Sequence, residues 1–158
     1  MPTPSTRNDR PKVLAVASGG GHWVQLMRLL PAFQNADVAY VTVQENSRGD
    51  VPDASAFHVV PDATRWDRIR LLRMAIGILW ITVRFRPDVV VSTGAAPGYF
   101  ALRFGRWLGA RTMWIDSIAN AEELSLSASR IKPHATTVLS QWPDVAERND
   151  VAYHGAVL

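Results

Sequence analysis

Six short runs of β-branched and apolar residues, at 12–18, 38–43, 57–60, 88–92, 112–116 and 136–140, alternate along this chain with longer segments of helical periodicity at 22–33, 66–86 and 98–108. Alternation of this kind reads as repeated βαβ units. Val89, Val90 and Val91 are apolar on consecutive rather than alternate positions, the pattern of a parallel strand covered on both faces. The expected fold is α/β, a Rossmann-like parallel sheet with helices on both faces. Residues 12–158 contain no internal repeat and no Pro/Gly-rich linker, so one domain is expected there. The polar opening, residues 1–11, has no apolar stretch and reads as a loose cytoplasmic tail, neither signal peptide nor anchor. There is no cysteine, which excludes disulfide scaffolds, thiolate zinc sites and cysteine nucleophiles and makes a reducing compartment the simpler assumption.

In a parallel sheet, ligands bind beyond the carboxyl ends of the strands, where glycine-rich turns lead into helices. Two such turns are present. The first strand runs into Ser18-Gly19-Gly20-Gly21-His22. A plain strand-to-helix turn needs one glycine, whereas three let backbone amides approach an anion closely at the positive end of the following helix. No Gly-Lys-Ser/Thr follows, so this is not a Walker loop. Val24 stands where a dinucleotide fingerprint needs its third glycine. The second turn, Ser92-Thr93-Gly94-Ala95-Ala96-Pro97-Gly98, follows the fourth strand and opens a helix, either as a second phosphate-binding loop or as a tight turn with proline in the first helical turn. Both turns exit the same edge of the sheet, and two anion-binding loops suit a diphosphate. The residues expected on it are Ser18, Gly19, Gly20, Gly21, Thr93, Gly94 and Ala95. Beyond the fifth strand, Asp116, Asn120 and Glu122 supply polar groups to the same edge, for a sugar hydroxyl or for capping the next helix. The residues call for no cofactor and no metal ion.

The formal charge of +3 is unevenly spread: residues 1–64 carry −1, residues 112–158 carry −3, and residues 65–111 carry nine arginines against Asp67 and Asp88, a block of +7. A nucleic-acid partner is not expected, because the aromatics do not interleave with the basic residues and no recognition motif is present. The block centres on the long helical segment. Its uncharged middle, 74–83, covers only about half of a ~30 Å hydrocarbon core, so it cannot span a bilayer. Ile76, Ile78, Leu79, Trp80 and Ile81 nevertheless circle it. One face should cover the sheet, while the other meets a partner chain or the acyl boundary of an anionic membrane, with Arg68, Arg70, Arg73, Trp80 and Arg84 as the contacting residues. A helix wholly buried in the domain is the alternative.

Taken together, Ala17-Ser18-Gly19-Gly20-Gly21-His22 with Gln25-Leu26, Pro87-Asp88-Val89-Val90-Val91-Ser92-Thr93-Gly94, Trp114-Ile115-Asp116-Ser117-Ile118-Ala119 with Leu124-Ser125-Leu126-Ser127, Gln141-Trp142-Pro143 and Tyr153-His154-Gly155 are specific. The chain resembles the Alg-fourteen-like family, the acceptor-side subunits of two-chain glycosyltransferases, and within it the bacterial PssD-type exopolysaccharide branch. The Gly-Gly-Gly-His turn also resembles the opening loop of MurG-type lipid-linked glycosyltransferases. Eukaryotic members tend to carry Glu-Ser and then Arg where this chain has Asp116-Ser117 and then Asn120.

The resemblance implies that the chain is one half of a GT-B glycosyltransferase. A separate nucleotide-sugar-binding subunit would supply the other half, the acceptor would be a polyprenyl-diphosphate-linked sugar, and the chain would sit on the inner face of the cell membrane. It implies transfer of a hexosyl or glucuronosyl unit from a UDP-sugar. His22 is then the candidate catalytic residue, either as a base that takes the acceptor hydroxyl's proton or as a donor to a phosphate oxygen. A non-catalytic membrane-docking subunit and a stand-alone Rossmann nucleotide-binding enzyme are the alternatives.

Overall fold

The computed structural model describes residues 10–157. The tail expected at 1–11 therefore lies mostly outside the described residues. Pro11 is within them, and its carbonyl accepts the Asp37 amide at 2.9 Å. Six strands, β1 (Lys12–Ala17), β2 (Asp37–Thr42), β3 (Ala56–Val59), β4 (Val89–Gly94), β5 (Arg111–Ile115) and β6 (Thr137–Leu139), form one sheet in the order β3-β2-β1-β4-β5-β6. Every pairing is parallel. The strand order reverses at β1, which pairs with β2 on one side and β4 on the other, so the topological switch point lies between β1 and β4.

The consecutive apolar runs are explained by the two cores they feed. Leu14, Val16, Val41 and Val90 point to the face that packs against Met74, Ile78 and Leu102. Their neighbours Val13, Ala15, Tyr40 and Val91 point to the face covered by Trp23 and Leu26. Each fully buried side chain of this size contributes about 1.5–3 kcal/mol. Trp23 adds edge-on contacts to Tyr40 and Phe57, with centroids 6.4 and 6.2 Å apart.

Helices α1 (Gly21–Met27), α2 (Arg68–Phe85), α3 (Ala95–Trp107), α4 (Leu126–Ile131) and α5 (Pro143–Asn149) connect the strands. The expected helix at 22–33 is broken: α1 stops at Met27, and Leu30–Phe33 is a separate 3₁₀ turn. Pro31 is the cause, since a proline ring clashes with the carbonyl four residues earlier, here that of Met27. α2 is capped at its start by Asp67, which accepts the Arg70 amide at 3.0 Å, and ends at Arg86 with φ 52°, one residue before Pro87. The sequence sets no bounds for α4, anticipated only as the next helix after the Asp116 loop, and none for α5, because six and seven residues are too few to show a helical period. No helix among the described residues is long and apolar enough to cross a membrane.

Candidate functional site

The turn after β1 and the turn after β4 flank the switch point, and a reciprocal pair of hydrogen bonds joins them. His22 Nδ1 lies 3.0 Å from the Thr93 carbonyl, and Thr93 Oγ1 donates to the His22 carbonyl at 2.6 Å. A carbonyl only accepts, so in the neutral ring the proton sits on Nδ1 and Nε2 keeps its lone pair. The imidazole rests against Gly94, where a Cβ would stand 2.4 Å from Nδ1. Gly94 adopts φ 143°, ψ 177° and donates its amide to Ser92 Oγ at 3.1 Å. Ala95, the first residue of α3, has φ 67°, a left-handed conformation that costs a non-glycine residue about 1–3 kcal/mol and is found mainly at functional sites.

The three glycines of the first turn are not equivalent. A Cβ on Gly19 would meet the side-chain amide of Gln44, whereas nothing lies within 4 Å of a Cβ at Gly20 or Gly21. Gly20 and Gly21 are exposed, with φ 65° at Gly20. The open space that backbone amides could offer a ligand is therefore over Gly20 and Gly21, and Gly19 is roofed by Gln44. Sequence reasoning passed over Gln44; its one signal was its place just beyond β2. Ser18, half-buried, flanks this turn. Gly98 serves packing, since a Cβ there would stand 1.8 Å from Ser92 Oγ.

Asp116 is 2% exposed and its carboxylate is already saturated. It accepts from Ser125 N (2.8 Å), Ser125 Oγ (2.7 Å), Trp114 Nε1 (3.2 Å) and Asn120 Nδ2 (3.2 Å). Ser125 caps α4 through the Ala128 amide. Asp116 and Asn120 thus anchor the loop that leads into α4: Ser125 is the cap, and the Asp116 carboxylate holds Ser125 in place. Glu122 is exposed and lines a separate cavity of about 350 Å³ with Arg148 and Asn149. Behind the site, buried Gln25 on α1 donates to Ser117 Oγ at 3.2 Å. Gln141 donates both to Gln25 Oε1 (2.9 Å) and to the Asp116 carbonyl (2.8 Å). This chain of amides locks α1, and with it His22, to the loops after β5 and β6. A further concavity, of about 500 Å³, lies by the amino-terminal end of β2, lined by Asp37, Val38 and Pro31, at the opposite edge of the sheet from the glycine turns.

α2 is not wholly buried. Met74, Ile78, Ile81 and Thr82 face the core, while Ile69 (73% exposed), Leu72, Ile76, Leu79, Trp80 (62%) and Val83 face outward. At about 100° per residue these outward residues fill one arc of roughly 100°, with Arg68 on one border and Arg73, Arg84 and Arg70 on the other. Among the described residues the single ion pair is Arg70 with Asp67, at 3.3 Å and exposed, so the rest of the arginine block is not neutralised by internal pairing.

No protein-family model matches the chain. It is similar to the UDP-N-acetylglucosamine transferase subunit ALG14 of Yarrowia lipolytica, at 26% identity over 181 residues, covering 96% of this chain and 83% of the relative. The ALG14 subunit of Eremothecium gossypii is also 26% identical, over 177 residues, with 86% and 75% covered. These similarities support an Alg-fourteen-like kinship. Among solved structures, MurG of Acinetobacter baumannii superposes with a TM-score of 0.69 at 13% identity, over 85% of this chain and 43% of that one. UDP-GlcNAc 2-epimerase of Methanocaldococcus jannaschii superposes with 0.68 at 13%, over 87% and 41%. The chain spans less than half the length of these structures. Its fold is a Rossmann-like half of the GT-B architecture.

Proposed function

We propose that this chain is the acceptor-binding, membrane-associating subunit of a two-chain GT-B glycosyltransferase, which transfers a sugar from a UDP-sugar to a polyprenyl-diphosphate-linked saccharide. The observation that carries the reading is the clasp of His22 on Thr93 and Gly94 at the switch point, beside open backbone at Gly20 and Gly21. The diphosphate is bound at the open backbone of Gly20 and Gly21 and the positive end of α3 from Ala95 on, since the Gly94 amide is taken by Ser92 Oγ and the Thr93 hydroxyl by the His22 carbonyl. Nε2 of His22 accepts the proton of the acceptor hydroxyl as its oxygen attacks the anomeric carbon and the bond from that carbon to UDP breaks. The Nδ1–H bond to Thr93 favours this base role over donation to a phosphate, because it leaves Nε2 unprotonated in the neutral ring. A nucleotide-sugar-binding glycosyltransferase subunit supplies the facing half of the cleft. The resemblance to PssD-type proteins implies the exopolysaccharide branch and a hexosyl or glucuronosyl donor.

The outward face of α2 docks on the inner leaflet, its apolar arc at the acyl boundary and Arg68, Arg70, Arg73 and Arg84 on anionic headgroups, at about 1 kcal/mol for each arginine near the surface. That same exposed face is what favours the second reading, a docking subunit that recruits the transferase without touching its substrate. Co-expression with the partner subunit, followed by assay on a polyprenyl-diphosphate sugar with a panel of UDP-sugars, tests the first reading. Transfer that requires both chains and is lost in His22→Ala supports it, and full transfer by the His22→Ala complex refutes a catalytic role. Replacing the four arginines by glutamine should reduce sedimentation with anionic liposomes, as should high salt. Salt-independent binding, or none by the wild type, refutes the membrane role.

A further inference from the structure

A cavity of about 250 Å³ opens between the start of α2, the start of α3 and α4. Its body is carbon, supplied by Leu71, Ala96, Phe100 and Leu126, and its polar lining consists of Arg65, Arg130 and the hydroxyl residues Tyr99 and Ser127. Two features decide what such a lining can hold. It contains no carboxylate and no carboxamide, the groups that accept hydrogen bonds from sugar hydroxyls, so a saccharide would find donors and few acceptors. Its two guanidiniums have no ion-pair partner among the described residues, so it is complementary to an apolar body that ends in an anion. Position narrows the choice further. Ala96 directly follows Ala95 of the second turn, and Leu71 sits on the flank of α2 turned toward α3, away from the exposed stripe. The cavity therefore opens next to the turn proposed for the diphosphate. At 250 Å³ it falls below the ~300–1,000 Å³ usual for a whole small ligand, which suits part of a longer molecule.

We infer that this cavity binds the first isoprenoid units of a prenyl diphosphate, with Arg65 and Arg130 on the phosphate next to the lipid. This rests on the acceptor reading above and adds to it a site where the lipid itself is recognised. Farnesyl diphosphate is the probe, with inorganic pyrophosphate and dihexanoylphosphatidylglycerol as comparisons, each titrated calorimetrically into the full chain. Ser127→Phe fills the cavity; it should weaken farnesyl diphosphate binding tenfold or more and leave pyrophosphate binding unchanged. The double variant Arg65→Gln/Arg130→Gln, whose side chains are exposed and whose fold is therefore safe, should weaken farnesyl diphosphate by a similar factor and decides the matter if Ser127→Phe does not fold.

Undiminished farnesyl diphosphate binding by a folded Ser127→Phe overturns the proposal, as does no binding by the wild type or equal binding of the phosphatidylglycerol. Gly20→Val separates this site from the glycine turn. If Gly20→Val abolishes farnesyl diphosphate binding while Ser127→Phe does not, the acceptor reading stands and the cavity assignment falls. The reverse result keeps the cavity and removes the turn.

Discussion

Replacing Gly94 by alanine attacks the junction of the two turns at its tightest point. The new Cβ would stand 2.4 Å from Nδ1 and 2.5 Å from Cε1 of His22, against an optimal separation of about 3.5–4.0 Å, so the ring has to retreat by about 1 Å. That movement breaks the 3.0 Å bond from Nδ1 to the Thr93 carbonyl, a net loss of about 0.5–1.5 kcal/mol. Alanine must also adopt the backbone of φ 143°, ψ 177°, which only glycine enters readily, at a further cost of about 1–3 kcal/mol. The expected destabilisation is about 1.5–4.5 kcal/mol, read from urea unfolding followed by tryptophan fluorescence on this chain alone. In the two-chain complex the displaced imidazole should lower turnover by about 10²-fold, the usual effect of a 1 Å misplacement. A Gly94→Ala chain within about 0.5 kcal/mol of the wild type, the range of an ordinary surface substitution, would show that His22 does not sit on Gly94 and would remove the geometric basis for its role.

Gly21→Ala is expected to behave in the opposite way. With open space at its Cβ and no left-handed φ, the fold should gain about 0.4–1 kcal/mol while acceptor KM rises, and unchanged kinetics would mean that the space is not used by a ligand. Gly20→Val should abolish activity in a complex that still assembles, and full activity there would transfer the argument to the docking role. His22→Ala should lower kcat by about 10²–10⁴-fold with acceptor affinity little changed, whereas a loss confined to affinity would make His22 a phosphate ligand. Burial holds the His58 imidazole below its ordinary 6.5, so as pH falls the unfolded chain takes up this proton first. The stability it contributes is whole above about 6.5 and declines as pH drops toward the lowered folded value. His58→Gln should flatten the loss of urea stability as pH falls below about 6.5, and an unaltered slope would assign the loss to other groups.

The runs around Leu14, Val41 and Val89–Val91, short and alternating with helical segments, were enough to indicate a parallel sheet, in which consecutive apolar positions are buried on opposite faces. The same local chemistry set both glycine turns on one edge, since every parallel strand exits on that side. The concentration of arginine in residues 65–111 was equally legible. What only the tertiary structure decided depends on partners far apart in the chain. Gly19, Gly20 and Gly21 look alike until Gln44, carried in from the end of β2, roofs one of them and leaves the others open. Asp116 looked available for a sugar until the folded loop brought the Ser125 hydroxyl and amide to it. On α2, the register against the sheet chose Ile78 and Ile81 for the core and left Ile76 and Trp80 outside, which a helix apolar all round could not specify. The tautomer of His22 is set by the carbonyl of Thr93, 71 residues away, because a hydrogen bond between two loops exists only once the sheet has placed their strands side by side.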